Sequence, residues 1–359
     1  MGNVYQGSIE LSIFGESHGA GIGMVLSGVE PGLELDMEAI KAEMKRRAPG
    51  QLLSTPRKEA DEIEWLSGIV NDTVCGSPIA CLIRNNNTKS KDYDSLKYWM
   101  RPSHADYPAF VKYHGSQDVR GGGHFSGRIT APLVAAGSIL GQGLEKHFPM
   151  EVGSHIIRLG AYEENKWDEV TPELLSGKRQ EYLPSLNPDE VKAEIEKAQA
   201  DSDSVGGMVE TAVWGVPAGL GDPFFDSVES RLSRLLFSIP AVKGVMFGSG
   251  TDFASGHGSE MNDAYTYQDG VVVTKTNHNG GILGGITTGM PIVFTTIIKP
   301  TASIGKVQDS VNLKTGTDEQ GTVVGRHDPC IVPRAIPVIE AAVKIALYDC
   351  WKEGNGFHA

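Results

Sequence analysis

The chain has 359 residues, 40% of them hydrophobic and 21% charged, with a formal net charge of -13. That length suits one large or two ordinary domains, and the acidic balance excludes the broad basic face that nonspecific nucleic-acid binding requires. No apolar run reaches the roughly 18 residues of a membrane span, the start lacks a secretory leader pattern, and Cys75, Cys81, Cys330 and Cys350 show no C-x-x-C spacing, so they read as reduced thiols of a cytoplasmic protein with no zinc site or disulfide.

Residues 8–14 and 22–29 are predicted strands. A helix is predicted over 36–48, capped by Asp36, with Met37, Ile40 and Met44 on one face and Lys45, Arg46 and Arg47 at its C-terminal end. Residues 63–70 and 78–84 read as strands, and 130–148 as a helix of small and apolar residues buried on most sides. Residues 161–203 hold twelve acidic and five basic groups and read as a solvated, peripheral excursion, with Asn187 capping a helix that starts at Pro188. Residues 208–216 and 291–299 read as strands. Asp226, with Glu229 three residues on, is predicted to cap a helix whose apolar face is Val228, Leu232, Leu235 and Leu236. The last helix is predicted from near Pro337 to Trp351, stopped by Gly354. Strands and helices come in groups, which predicts an α+β fold in a single domain over 1–359 with no linker dividing it.

The 44 glycines exceed an average share of roughly 7% and gather in 15–23, 121–127, 244–258 and 279–289. Glycine in such places lets backbone approach a ligand or another strand. The segment 101–128 concentrates Arg101, Arg120 and Arg128 with His104, His114 and His124. Arginine forks match phosphate or carboxylate oxygens in pairs, and histidine moves protons near neutral pH, so this segment reads as an anion site with proton chemistry. Residues 15–19, GESHG, match G-x-S-x-G, but the glycine-rich stretch that follows is strand-like and denies Ser17 the helix a nucleophile elbow needs. His18 is the better catalytic candidate. The glycine pairs of 277–289, followed by Lys299, read as a seat for a phosphate-bearing cofactor. In 325–330, GRHDPC, Asp328 lies beside cationic groups, should stay ionised and can accept a proton.

Taken together, FGESHG (14–19), RRAPGQ (46–51), RPSHADY and DVRGGG (within 101–123), NHNGGILGGITTG (277–289), KPTASI (299–304) and GRHDPC (325–330) resemble the chorismate synthase family, in family order and over nearly the whole chain. The resemblance implies a β-α-β sandwich with helices between antiparallel sheets, assembled as a homotetramer. It implies anti-1,4-elimination of phosphate from 5-enolpyruvylshikimate 3-phosphate to give chorismate. Reduced FMN is required without net redox change, its part being to lend an electron transiently that helps expel phosphate.

By the same resemblance His18 protonates the departing phosphate, and His104 keeps the reduced flavin in a workable protonation state. Asp328 takes the C6 proton by way of the flavin. Arg47, Arg57, Arg101 and Arg128 surround the substrate anions. His124, Ser126, Ala241, Gly284, Lys299, Pro300, Thr301, Ala302, Ser303 and Arg326 fall at flavin-contact positions, Arg326 also facing the substrate. The chain departs from the family's GGGRSSARETA, reading GGGHFSGRITA, and has Leu53 where an arginine is common. Each lost cation is expected to weaken anion binding by about 1–3 kcal/mol; a protonated His124 can compensate in part and Phe125 can pack on the flavin. The alternative to an active enzyme is a divergent FMN- or anion-binding protein with altered or lost elimination; an esterase or phosphatase using Ser17 is a further competitor. The compact length favours an external flavin reductase over self-reduction with NADPH.

Overall fold

The computed structural model describes residues 2–48, 61–85, 97–323 and 328–355. Two five-stranded sheets, antiparallel throughout, enclose a layer of helices. The first sheet runs in the order Val4–Gln6, Glu10–Gly15, Gly21–Ser27, Ile79–Arg84, Ile63–Ser67. The second runs Val242–Phe247, Ile292–Ile298, Gly207–Trp214, Glu151–Leu159, Tyr162–Glu163. Between them lie the helices Ala131–Glu145, against the first sheet, and Val332–Asn355, against the second. This is the α+β sandwich that the sequence led us to expect. Among the described residues no helix is long and apolar enough to cross a membrane.

Local chemistry fixes the helix ends. Asp36 caps Met37–Arg47 by accepting from the amides of Glu38 and Ala39. The cap of Val228–Leu236 is Ser227, which accepts from Ser230 N, and not Asp226 as the sequence led us to expect. Asn187 does precede Pro188–Ala200, but its side chain donates to Glu190 instead of capping an amide. The last helix begins at Val332, five residues before the predicted start, and takes Pro337 inside it. Proline lacks one backbone donor, and packing of this helix through the centre of the sandwich outweighs that single lost bond. Within 161–203, Leu175, Val191 and Ile195 are buried, and Leu175 lies against Gly153 of the second sheet.

The helix Ala131–Glu145 is buried continuously from Ala131 to Gly141 because its residues are small or apolar on every side. Its closest approach to the C-terminal helix is at Gly137, where a Cβ would stand 2.5 Å from Ala341 Cβ and 2.6 Å from Ala341 Cα. Asp349 then ties the layers together. Its carboxylate accepts from Tyr5 Oη at 2.7 Å, the Ile9 amide at 3.1 Å and Arg231 Nη1 at 2.6 Å. A second interior cluster joins Met37–Arg47 to its neighbours: Arg46 bridges Glu43 and Glu340 at 2.8 and 2.7 Å, and Arg179 reaches Glu43 at 2.8 Å. Burial alone would push the Glu43 carboxyl up, but the charges of Arg46, Arg179 and Lys344 outweigh it and hold the group below the ordinary glutamate range.

Two predictions follow from this packing. Gly137→Ala should lower the melting temperature, because overpacking against backbone costs about 1–3 kcal/mol and exceeds the roughly 1 kcal/mol gain in helix propensity; a thermal melt at or above wild type would contradict the close crossing. The depressed Glu43 pKa contributes stability that is fully present above the unfolded value of about 4.3 and is lost as pH falls through the folded value. Glu43→Gln should therefore destabilise by about 3 kcal/mol at pH 7, with the gap to wild type closing below about pH 4 in urea unfolding. A gap independent of pH would show that Glu43 is not held as an ion.

Candidate active site

The first sheet delivers the loop that carries His18. Glu10–Gly15 ends at Gly15, φ +101°, and the chain turns through 16–20 directly into the strand Gly21–Ser27. No helix follows Ser17, so the G-x-S-x-G match has no elbow geometry. The Ser17 amide donates to the Gly123 carbonyl at 3.1 Å, which docks this loop on the turn 121–123. His18 is buried, with Nδ1 3.2 Å from Ser17 Oγ. Gly121 has φ +68°, and a Cβ on it would lie 2.2 Å from His18 Cε1, so no larger residue fits. A Cβ on Gly122 would lie 3.5 Å from His104 Nε2. One glycine turn thus has a histidine against each of two consecutive residues.

His104 is oriented by a carboxylate. Its Nδ1 is 2.6 Å from Asp106 Oδ1, and Arg101 donates through Nε and Nη2 to the two Asp106 oxygens at 2.7 and 2.8 Å. Burial opposes ionisation of Asp106, but hydrogen bonds from Arg101 and His104 hold its carboxyl well below the usual range. An ionised carboxylate only accepts, so Nδ1 carries a proton and Nε2 is the atom left to exchange one.

From Arg101 the contacts continue. Arg101 Nη1 donates to Ser303 Oγ at 3.3 Å, and two residues earlier Thr301 Oγ1 donates to the Asp328 carbonyl at 2.8 Å. The Asp328 carboxylate accepts from Arg334 Nη1 at 2.5 Å, and Arg334 Nε reaches the Arg47 carbonyl at 3.3 Å. Arg47 Nη2 donates to one oxygen of the buried Asp61 at 2.6 Å, and Arg128 Nη1 donates to the other. Arg128 Nε donates to Asn85 Oδ1 at 3.1 Å, and the Asn85 amide nitrogen donates to the Glu16 and Gly19 carbonyls at 2.9 and 3.0 Å. Those carbonyls flank His18. The contacts close a ring that contains His18, His104, Asp328, Arg47, Arg101 and Arg128.

The other predicted positions fall as follows. His124 Nδ1 lies 2.9 Å from the Gly15 carbonyl, and Nε2 lies 3.2 Å from Asn3 Oδ1, so the ring faces the start of the His18 loop. Phe125 is partly exposed, 6.4 Å from Tyr113 between ring centroids. Ser126 accepts from the Arg128 amide. Ala241, at φ +75°, accepts from the Lys299 amide at 2.9 Å, and Lys299 Nζ donates to the Ser103 carbonyl at 2.5 Å, beside His104. Burial, then Lys243, lowers the Lys299 pKa. Pro300 and Ala302 complete this segment, and Gly284 has open space where a Cβ would stand. Arg57, Arg326, Leu53 and His327 lie outside the described residues.

One expectation is corrected. The amides of 277–281 do not form an open phosphate cradle: those of His278 and Asn279 donate to Asp263 at 2.8 and 2.9 Å, and those of Gly280 and Gly281 to Asn277. Asp263 lies in a separate segment, so its capture of these donors has no local signature. The sequence reading also missed Asp61, Asn85, Asp106 and Arg334. Only Asp106 carried a signal, being two residues from His104. The open hollow lined by Asp309, Asp318 and Glu319 includes no residue of the ring, and its charge repels anions.

Comparison with known proteins points to one family. Residues 9–351 match the family model described as chorismate synthase. The chain is 44% identical over 342 residues to a chorismate synthase of Thermococcus gammatolerans, covering 95% of each protein. It is 41% identical over 370 residues to that of Methanocaldococcus jannaschii, covering 99% of this chain and 98% of the relative. A crystal structure of a chorismate synthase superposes with a TM-score of 0.75 at 28% identity, over 97% of this chain and 93% of the other. The chain belongs to the chorismate synthase family.

Proposed function

We propose that the ring of contacts around His18 and His104 is where this chain carries out the family reaction, elimination of phosphate from 5-enolpyruvylshikimate 3-phosphate to give chorismate. The observation that supports it is the closure of that ring: two histidines meet one glycine turn, and an ionised carboxylate and three buried arginines are held by the same chain of bonds. The C3–O bond breaks with its electron pair going to phosphate, and the C6–H bond supplies the pair that forms the new double bond. His18 gives the departing phosphate a proton. Asp328, oriented by its bond from Arg334, is the final acceptor of the C6 proton. Arg47, Arg57, Arg101 and Arg128 neutralise the substrate's phosphate and carboxylates, Arg47 and Arg128 being held in place by Asp61.

The family uses reduced FMN, and the residues here fit it: Lys299 offers a cation, Gly284 leaves uncrowded backbone, and His104 presents Nε2 from across Gly122. When bound, the cofactor supplies the electron density that helps expel phosphate. His124, Ser126, Ala241, Gly284, the run Lys299 to Ser303, and Arg326 would hold it. The alternative of a binding protein without elimination is not favoured, given relatives 44% identical over nearly full length that are themselves chorismate synthases. A homotetramer is supported by large apolar side chains left on the surface, Phe225 at 92% and Tyr267 at 79% exposure among them. The cytoplasm as compartment and an external flavin reductase as partner belong to the same reading.

Anaerobic turnover with chemically reduced FMN, followed by chorismate absorbance, tests it. Product should form with reduced and not with oxidised FMN, and NADPH without added reductase should give none. His18→Ala and Asp328→Asn should each lower kcat by about 10²–10⁴-fold. Absence of product from flavin-saturated protein, or full activity in either variant, would refute the assignment.

A further inference from the structure

We infer that Asn85 is a positioning residue that couples Arg128 to the placement of the His18 loop. The inference rests on the roles proposed above for those two residues. Asn85 follows the last residue of the strand Ile79–Arg84, and its own amide donates to the Ala20 carbonyl at 3.3 Å. Its side chain then makes three bonds in two directions. Oδ1 accepts from Arg128 Nε at 3.1 Å, while Nδ2 donates to the Glu16 carbonyl at 2.9 Å and the Gly19 carbonyl at 3.0 Å. The partners fix the orientation: a flipped amide would set oxygen against two carbonyl oxygens and N–H groups against a guanidinium.

The consequence is mechanical. The Glu16 and Gly19 carbonyls bracket Ser17 and His18, so one amide group grips the loop on both sides of the proton donor. The same amide holds the guanidinium whose other donors go to Asp61 and the Arg84 carbonyl. The position of Arg128 is therefore tied to that of the loop through a single rigid planar group. No other described side chain bonds both Arg128 and the loop 16–19. Other anchors on or beside that loop, the Gly123 carbonyl on Ser17 N, the Arg120 carbonyl on Ser17 Oγ and His124 on the Gly15 carbonyl, do not involve Arg128.

Asn85→Asp separates the two halves of this role. It keeps an acceptor for Arg128 but puts oxygen in place of the donor to the two carbonyls. In the turnover assay with reduced FMN, kcat should fall about tenfold or more while KM stays within about threefold. In a His18→Ala background the same substitution should cause no further loss, because its effect passes through His18. An unchanged kcat, or an equal loss repeated without His18, would overturn the inference. A second readout does not need turnover: with ring-labelled histidine, the His18 Cε1–H NMR resonance should move in Asn85→Asp while that of His104 stays in place. An unmoved His18 resonance overturns the inference even in an inactive protein, whereas absence of product from wild type bears only on the functional reading. Should Asn85→Asp fail to fold, Asn85→Ser, which removes the carbonyl grip without adding charge, carries the same readouts.

Discussion

Two guanidiniums cannot be buried side by side without a shared counterion, and Asp61 between Arg47 and Arg128 is that counterion. Its side chain is fully enclosed, and both carboxylate oxygens are used, one on each arginine. Desolvating these charges is costly, and it is offset only where geometry and hydrogen bonding are good. Asp61 also adopts φ +48°, a left-handed conformation that costs roughly 1 kcal/mol in a residue with a side chain. The sheet strands, the His18 loop and the C-terminal helix all meet this bridge through Asn85, Arg128, Arg47 and Arg334. The site is consequently built before substrate arrives, with its cations already oriented.

The chemistry asks little covalent work of the protein. It asks for charge held at fixed points and for two histidines held in defined orientations. Glycine makes that arrangement possible at one turn: a side chain at 121 would displace His18, and the φ of +138° at 122 is one that residues with side chains rarely adopt. Carboxylates then do the fixing, Asp106 for His104 and Asp61 for the arginines, while Asp328 accepts from Arg334. Each of these acids accepts from at least one arginine, and for Asp106 the bonds hold the carboxyl well below its usual range.

Much of this was readable in the chain, and the omissions have a common cause. Asp36 as a cap, the buried helix over 131–145 and the candidates His18, His104 and Asp328 rest on local spacing or on motifs, and local spacing is visible in a sequence. The strand Glu151–Leu159 was not anticipated because Ser154 and His155 interrupt its apolar run. Both are buried nonetheless, since Ser154 meets Thr211 and His155 stacks on Trp167 between Glu164 and Glu210. Asp61 and Asn85 act through partners 14 and 43 or more residues away, and Arg334, though six residues from Asp328, also reaches Arg47 at a separation of 287, which nothing beside it in the chain announces. The capture of the 278–279 amides by Asp263 is the same kind of event, and it turned an apparent anion cradle into an internal knot.

The Asp349 hub has a consequence for biogenesis. Its carboxylate joins Tyr5 and the Ile9 amide to a helix that lies more than three hundred residues downstream. That helix also forms the inner layer against which Ala131–Glu145 and the second sheet pack. During synthesis Ala131–Glu145 can cover the first sheet, but the face that this helix turns toward Val332–Asn355 stays open and the Asp349 latch is missing. The sandwich closes only when the helix Val332–Asn355 leaves the ribosome, so the nascent chain exposes the apolar inner faces of Ala131–Glu145 and of the second sheet and depends on shielding from aggregation until then.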